Sequence, residues 1–200
     1  MTGRFIVFEG GEGSGKSTQA ELLARRIGAL LTRQPGGTAV GASIRALLLD
    51  PATGELDPRA EALLMAADRA QHVAEVIRPA LAAGRDVVCD RYAHSSVAYQ
   101  GFGRGLDADE VARLSGWASG ELWPDLVVLL DVDSSVTASR LGHDRDRFAQ
   151  AGAEFHERVG AGFRSLAAAD PERWIVIDGA QSVDVVRAEV DAAIMARWEM

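Results

Sequence analysis

Apolar residues in this 200-residue chain fall into short solid runs, separated by stretches where they recur every three or four positions. The runs are 4–9, built on Phe5-Ile6-Val7-Phe8, then Ala29-Leu30-Leu31-Thr32, Asp86-Val87-Val88-Cys89-Asp90, Leu126 to Asp131, and Trp174 to Ile177. Short runs that are apolar throughout, without polar alternation, suit parallel strands covered on both faces. Helical spacing occupies Lys16 to Gly28, then 41–49, 57–83, 107–119, 134–141 (interrupted at Gly142), 154–169 and 183–198. Asp57-Pro58 reads as N-cap and first helical residue, Gly28 and Gly84 as C-terminal stops, and Pro79 predicts a bend. The pattern yields no element for 91–105, which ends in Gly101-Phe102-Gly103-Arg104-Gly105. Strands alternating with helices at this spacing predict an α/β domain spanning residues 1–200, with a five-stranded parallel sheet, right-handed crossovers and helices on both faces. Ligands on such sheets collect beyond the carboxyl ends of the strands, where Arg33, Asp90 and Arg91 fall.

Between the first strand and the first helix lies Gly10-Gly11-Glu12-Gly13-Ser14-Gly15-Lys16-Ser17, followed by Thr18. The spacing G-x-x-x-x-G-K-S between a strand and a helix is a P-loop, which makes the expected architecture a P-loop NTPase fold. Glycines let successive N–H groups turn inward around a phosphate. Lys16 then reaches the β and γ phosphates, Ser17 can hold Mg²⁺, and the helix presents its positive end to the anion. Residues 10–18 are therefore the expected nucleotide-phosphate-binding segment.

Charge narrows the reading further. A net charge of -8 argues against broad nucleic-acid binding, so a phosphate substrate must be met by local arginines. No apolar run approaches the ~20 residues that span a bilayer, and no secretory signal pattern opens the chain, which predicts a cytoplasmic protein without a membrane partner. The single cysteine, Cys89, excludes an intramolecular disulfide and reads as a small strand residue. His72, His143 and His156 have no metal-ligand spacing, which argues against a structural metal.

Further blocks accompany the P-loop: Thr32-Arg33-Gln34-Pro35-Gly36-Gly37-Thr38, Asp90-Arg91-Tyr92 with Ser95 to Gly101, and Pro124-Asp125-Leu126. In this order, with Phe8 to Thr18, they make the whole chain resemble the thymidylate kinases, which phosphorylate dTMP with ATP. The resemblance implies that Lys16 and the loop amides hold ATP, that Asp90 and Ser17 hold Mg²⁺, and that Arg91 and Arg45 grip the dTMP phosphate. It further implies that Glu12 accepts from the sugar 3′-hydroxyl, that Arg69, Ser96 and Gln100 read the base, and that Tyr99 crowds the 2′ position. It also suggests a homodimer formed through long helices.

Gly13 stands where one class of these enzymes has an arginine. Cations for the transferred phosphoryl are then expected from a small mobile lid at about 141–152, with Arg145 and Arg147 as the catalytic candidates and Arg140 nearby. Four positions depart from the family pattern. Met65 stands for a phenylalanine stacked on thymine, Gln34 for a glutamate, His94 for an aspartate, and Ala149 for a glutamate after the lid. They leave two alternatives open: a kinase for another pyrimidine nucleotide, and a catalytically silent nucleotide-binding relative.

Overall fold

The computed structural model describes residues 2–133, 136, 140 and 146–198. Five parallel strands form one sheet in the order β2-β3-β1-β4-β5: β1 (Phe5–Glu9), β2 (Leu30–Arg33), β3 (Val87–Asp90), β4 (Leu126–Asp131) and β5 (Trp174–Asp178). The chain first builds leftward from β1 to β2 and β3, then rightward to β4 and β5, so β1 is the centre from which the connections diverge. That divergence opens a crevice at the carboxyl ends of β1, β3 and β4.

The side-chain period of two divides the strands between two cores. Ile6 and Phe8 of β1 join Leu126, Val128 and Leu130 of β4 beneath α1 (Lys16–Ile27) and the closing helix, α8 (Val183–Trp198). Phe5 and Val7 point to the other face, onto Val73, Ile77, Cys89 and Tyr92. On that same face, Val127 and Leu129 pack against Phe155, Val159 and Phe163 of α7 (Ala153–Ala169). Covering both faces explains why these strands read as solid apolar runs.

The helices follow the sequence pattern closely at their ends. Gly28 caps α1 in the left-handed region at φ 67°, and Thr38 caps α2 (Ala39–Leu49) by accepting from the Gly41 N–H at 2.9 Å. The pattern at 57–83 resolves into α3 (Pro58–His72), a π-helical turn at Val73–Ile77 and α4 (Arg78–Ala82), with Asp57 as N-cap. The irregularity thus precedes Pro79 and is a widened turn.

Residues 93–103, for which the sequence pattern yields no element, form α5 (Ala93–Ser96) running into a π-helical segment at Val97–Gly103. Its glycines serve close packing: a Cβ on Gly103 would stand 2.6 Å from the Phe155 ring, and one on Gly101 3.2 Å from the Ala108 Cα. Glycine therefore marks tight helix contact here, where its usual reading is a loop. α6 (Ala108–Ser119) follows, capped by Asp107. Among the described residues, no helix is long and apolar enough to cross a membrane. Of the expected lid, residues 141–145 lie outside the described set, including Arg145.

Candidate active site

The loop after β1 is shaped by three glycines in the left-handed half of backbone space: Gly10 at φ 141°, Gly13 at 70° and Gly15 at 93°. Gly15 is the N-cap of α1 and offers no side-chain acceptor, and the first turn of the helix holds no acidic residue. The opening N–H groups of α1 are thus left for an anion. Lys16 folds back over the loop, donating to the Gly11 carbonyl at 2.6 Å and to Ser14 Oγ at 3.2 Å. Burial, followed by the Arg91 charge, lowers its pKa to about 8.

The register of the sheet brings a second set of groups beside this loop. Phe8 lies opposite Asp90, and Asp90 lies opposite Arg33. The Ser17 hydroxyl donates to Asp90 Oδ2 at 2.5 Å, while Asp90 Oδ1 is buried with no protein partner. Arg91 occupies the left-handed region at φ 66°, a conformation costing about 1–3 kcal/mol for a residue with a side chain. Its N–H donates to the Phe8 carbonyl at 2.9 Å and its Nη1 to the Gly10 carbonyl at 2.8 Å, which hold the turn. Its Nη2 reaches Glu12 Oε1 at 2.6 Å and the Tyr99 hydroxyl at 3.1 Å. Tyr99 in turn donates to Glu12 at 3.0 Å. Arg91, with burial opposing it, carries the Glu12 carboxyl down to about 2.

Two adjoining cavities meet at these residues. One surrounds the P-loop, with Lys16, Ser17, Thr18, Arg33, Asp90 and Arg140 in its walls. The other runs away from it and includes Met65, Arg69, Ser96, Tyr99 and Gln100. Glu12, Gln34, Arg45 and Arg91 line both. Every residue expected at the acceptor site, Glu12, Arg45, Met65, Arg69, Arg91, Ser96, Tyr99 and Gln100, therefore borders one cavity.

The far end of that cavity is held by a polar network. Arg69 is buried and donates to Gln34 Oε1 at 3.1 Å, Ser115 Oγ at 3.3 Å, the Tyr92 carbonyl at 3.2 Å and Ser96 Oγ at 2.9 Å. Gln34 passes its amide N–H to His72 Nδ1 at 3.0 Å, and burial, with Arg69 second, lowers His72 to about 4. The departure at Gln34 thus fits a neutral histidine and an arginine, which the amide bridges at the far end of the cavity.

Arg45 donates to the Pro35 carbonyl at 2.9 Å; burial and then its neighbour Arg33 lower its pKa.

Other expected residues stand elsewhere. Arg147 lines neither cavity. Its Nη2 pairs with Glu61, its Nε donates to the Leu48 carbonyl at 3.0 Å, and its N–H to that of Leu49 at 3.0 Å. Those contacts draw it to α2 and α3 and away from the P-loop. Arg140 does line the P-loop cavity, and donates to the Gly179 carbonyl at 3.0 Å. His94 is buried between Trp123 and Trp174, with ring centroids 5.5 and 4.9 Å away, and belongs to the core.

Two carboxylates escaped the sequence reading. Glu9 accepts from the Tyr92 and Ser95 N–H groups at 2.9 and 3.1 Å and from Ser95 Oγ at 2.5 Å, and so ties β1 to α5. Glu61 accepts from Gln100, Arg104 and Arg147. A signal for the second existed: 61, 65, 68, 69 and 72 share one helix face by spacing, and four of them are polar.

The lowered Lys16 value has a measurable sign. A bound triphosphate favours the charged amine, so it raises the Lys16 pKa from about 8, and binding takes up a proton wherever the free lysine is neutral. Calorimetry of ATP binding in buffers of different ionisation enthalpy is expected to show an uptake near one proton at pH 9, falling to about a quarter at pH 7.5. A pH-independent value would show that Lys16 does not meet the phosphates.

Comparison with known proteins agrees with this geometry. The sequence profile described as Thymidylate kinase matches residues 8–190. A thymidylate kinase of Bifidobacterium longum (strain DJO10A) is 49% identical over 202 residues, covering 97% of this chain and 98% of that protein. One from Solidesulfovibrio magneticus is 51% identical over 200 residues, covering 93% and 96%. The crystal structure of thymidylate kinase from Ehrlichia chaffeensis superposes with a TM-score of 0.79 at 33% identity, over 97% of this chain and 99% of that one. With a matching profile over most of its length and relatives near half identical end to end, the chain belongs to the thymidylate kinase family.

Proposed function

We propose that this chain transfers the γ-phosphoryl group of ATP to the phosphate of dTMP, giving dTDP and ADP. The observation that carries the reading is the seam between the two cavities, where Glu12, Arg45 and Arg91 belong to both. A triphosphate on the P-loop and a monophosphate gripped by Arg45 and Arg91 would meet there, and in-line transfer depends mainly on such positioning and charge neutralisation. Lys16 and the first amides of α1 bear on the donor, while Met65, Arg69, Ser96 and Gln100 receive the base. Glu12 and Tyr99, joined at 3.0 Å, stand at the level of the sugar.

Mg²⁺ fits the residues present. Asp90 Oδ1 lacks a protein partner, and Ser17 Oγ lies against the other carboxylate oxygen. A hydroxyl and one carboxylate, completed by water and substrate phosphates, is a donor set suited to this ion. Among the described residues no cluster of three or more His, Cys, Asp or Glu could hold a metal unaided, in keeping with an ion that arrives with the nucleotide. When bound, it neutralises phosphate charge.

Arg140 lines the P-loop cavity without reaching the acceptor cavity, and would add positive charge on the donor side of the seam. ADP release measured against dTMP, dUMP, dCMP, UMP and AMP is expected to be strongly selective for dTMP; no release with any acceptor would sink the reading. In the same assay Arg140→Ala should lower kcat at least about tenfold with little change in the dTMP KM.

We also propose that the chain works as a homodimer through α2, α3 and α6. Val40, Leu47 and Leu63 on the first two helices are 53%, 52% and 58% exposed, and Trp117 on the third is 79% exposed. Apolar exposure gathered on neighbouring helices suits self-association. Sedimentation should give a species of twice the 21.3 kDa chain mass, and Leu63→Asp should shift it to monomer. A monomeric wild type at micromolar concentration would refute this.

A further inference from the structure

Gln100 and Glu61 are both 0% exposed and joined at 2.9 Å, Gln100 Nε2 donating to Glu61 Oε1. The other end of the Gln100 amide, Oε1, is buried without a protein partner, and Gln100 lines the acceptor cavity. Glu61 does not reach the cavity. It is clasped by two guanidiniums, Arg104 Nε and Nη2 at 3.1 Å each, and Arg147 Nη2. Flanked by donors on both oxygens, the Glu61 carboxylate can only accept.

An amide side chain is ambiguous: either end can face a ligand, and the neighbours decide which does. Here an acceptor-only group takes the NH₂ end. The carbonyl end is left for the ligand, and a buried carbonyl without a partner is costly until a donor arrives.

We propose that Glu61 is a positioning residue for base selection: by fixing the orientation of Gln100, it makes the cavity demand a hydrogen-bond donor on the pyrimidine edge. The inference rests on the dTMP kinase reading and deepens it. A thymine ring carries an N–H at position 3 and satisfies the demand. A cytosine ring carries a bare nitrogen there, and its lone pair would face the Gln100 carbonyl. A site with a fixed unmet polar group rejects the mismatched ligand far more strongly than an apolar wall does. Arg104 and Arg147 act in the same device by keeping Glu61 in place, which gives Arg147 a role at the base end of the site.

Glu61→Gln replaces the acceptor-only group with one that can also donate, so the Gln100 amide can turn over. The ratio of kcat/KM for dTMP over dCMP is expected to fall at least about tenfold, with the ATP KM unchanged. Glu61→Asp keeps the charge for the arginines but withdraws the carboxylate by one methylene, and should lower the ratio in the same direction if the first variant fails to fold. In a Gln100→Ala background, Glu61→Asp should leave the ratio where Gln100→Ala alone put it, because Glu61 acts through that amide. A folded Glu61 variant with the wild-type ratio would overturn the proposal, as would an equal further loss in the Gln100→Ala background. If the wild type itself shows no preference for dTMP, the base assignment of the function falls instead, and the two failures are told apart by that single control.

Discussion

The site depends on the register of β1 between β3 and β4. Phe8 stands opposite both Asp90 and Val128, so the P-loop, Asp90 and Arg91 leave the sheet at one level. Because β1 is buried on both faces, a slip of one residue would exchange the side chains of its two cores, and packing forbids it. The consequence extends to the backbone of Arg91. Its left-handed conformation is held by the Phe8 carbonyl behind it and by Glu9, which collects the N–H groups of Tyr92 and Ser95 just beyond. Burial keeps Glu9 near 6, so it charges fully only above mildly acidic pH.

The electrostatics run opposite to the chain as a whole. A protein of net charge -8 gathers Lys16, Arg33, Arg45, Arg91 and Arg140 around one cavity, against Glu12 and Asp90 among the described residues. Those two carboxylates are not idle counter-charges. Asp90 keeps one oxygen unpartnered, and Glu12 holds Arg91 in a fixed direction at the junction of the two cavities. A phosphate arriving there finds a guanidinium already aimed, so less rotamer entropy is lost on binding than with a free surface arginine.

Much of this was legible in the sequence because the signals were local. Solid apolar runs gave the five strands, and the P-loop spacing gave the glycine turn that the cavity surrounds. The segment 93–103 was not, because Gly101 and Gly103 are required by contacts with Ala108 and Phe155, which lie in other elements. Arg147 was read with the lid by its neighbours in sequence, yet its destination is set by Glu61, 86 residues away. His94 shows the reverse case: its departure from the family pattern has a core explanation, packing against Trp123 and Trp174. Charge alternation along a loop says that a segment is polar; it does not say which buried carboxylate it will find.

The far end of the second cavity rests on directions as much as on positions. Arg69 is a donor only, so it turns the Gln34 carbonyl toward itself and the Gln34 amine toward His72. His72 must then accept at Nδ1 and carry its proton on Nε2, facing Thr32 Oγ1 at 2.6 Å, which suits a neutral ring. Glu61 is an acceptor only, and turns Gln100 the opposite way. Two amides that could each have faced either way are thus fixed by one charged neighbour of each sign. A glutamate at position 34 would give Arg69 a charged partner and would call for the other neutral tautomer of His72, with the proton on Nδ1 and Nε2 accepting from the Thr32 hydroxyl. The amide at 34 lets the uncharged histidine accept at Nδ1 and keeps the alignment of Arg69 without placing another charge in the cavity wall.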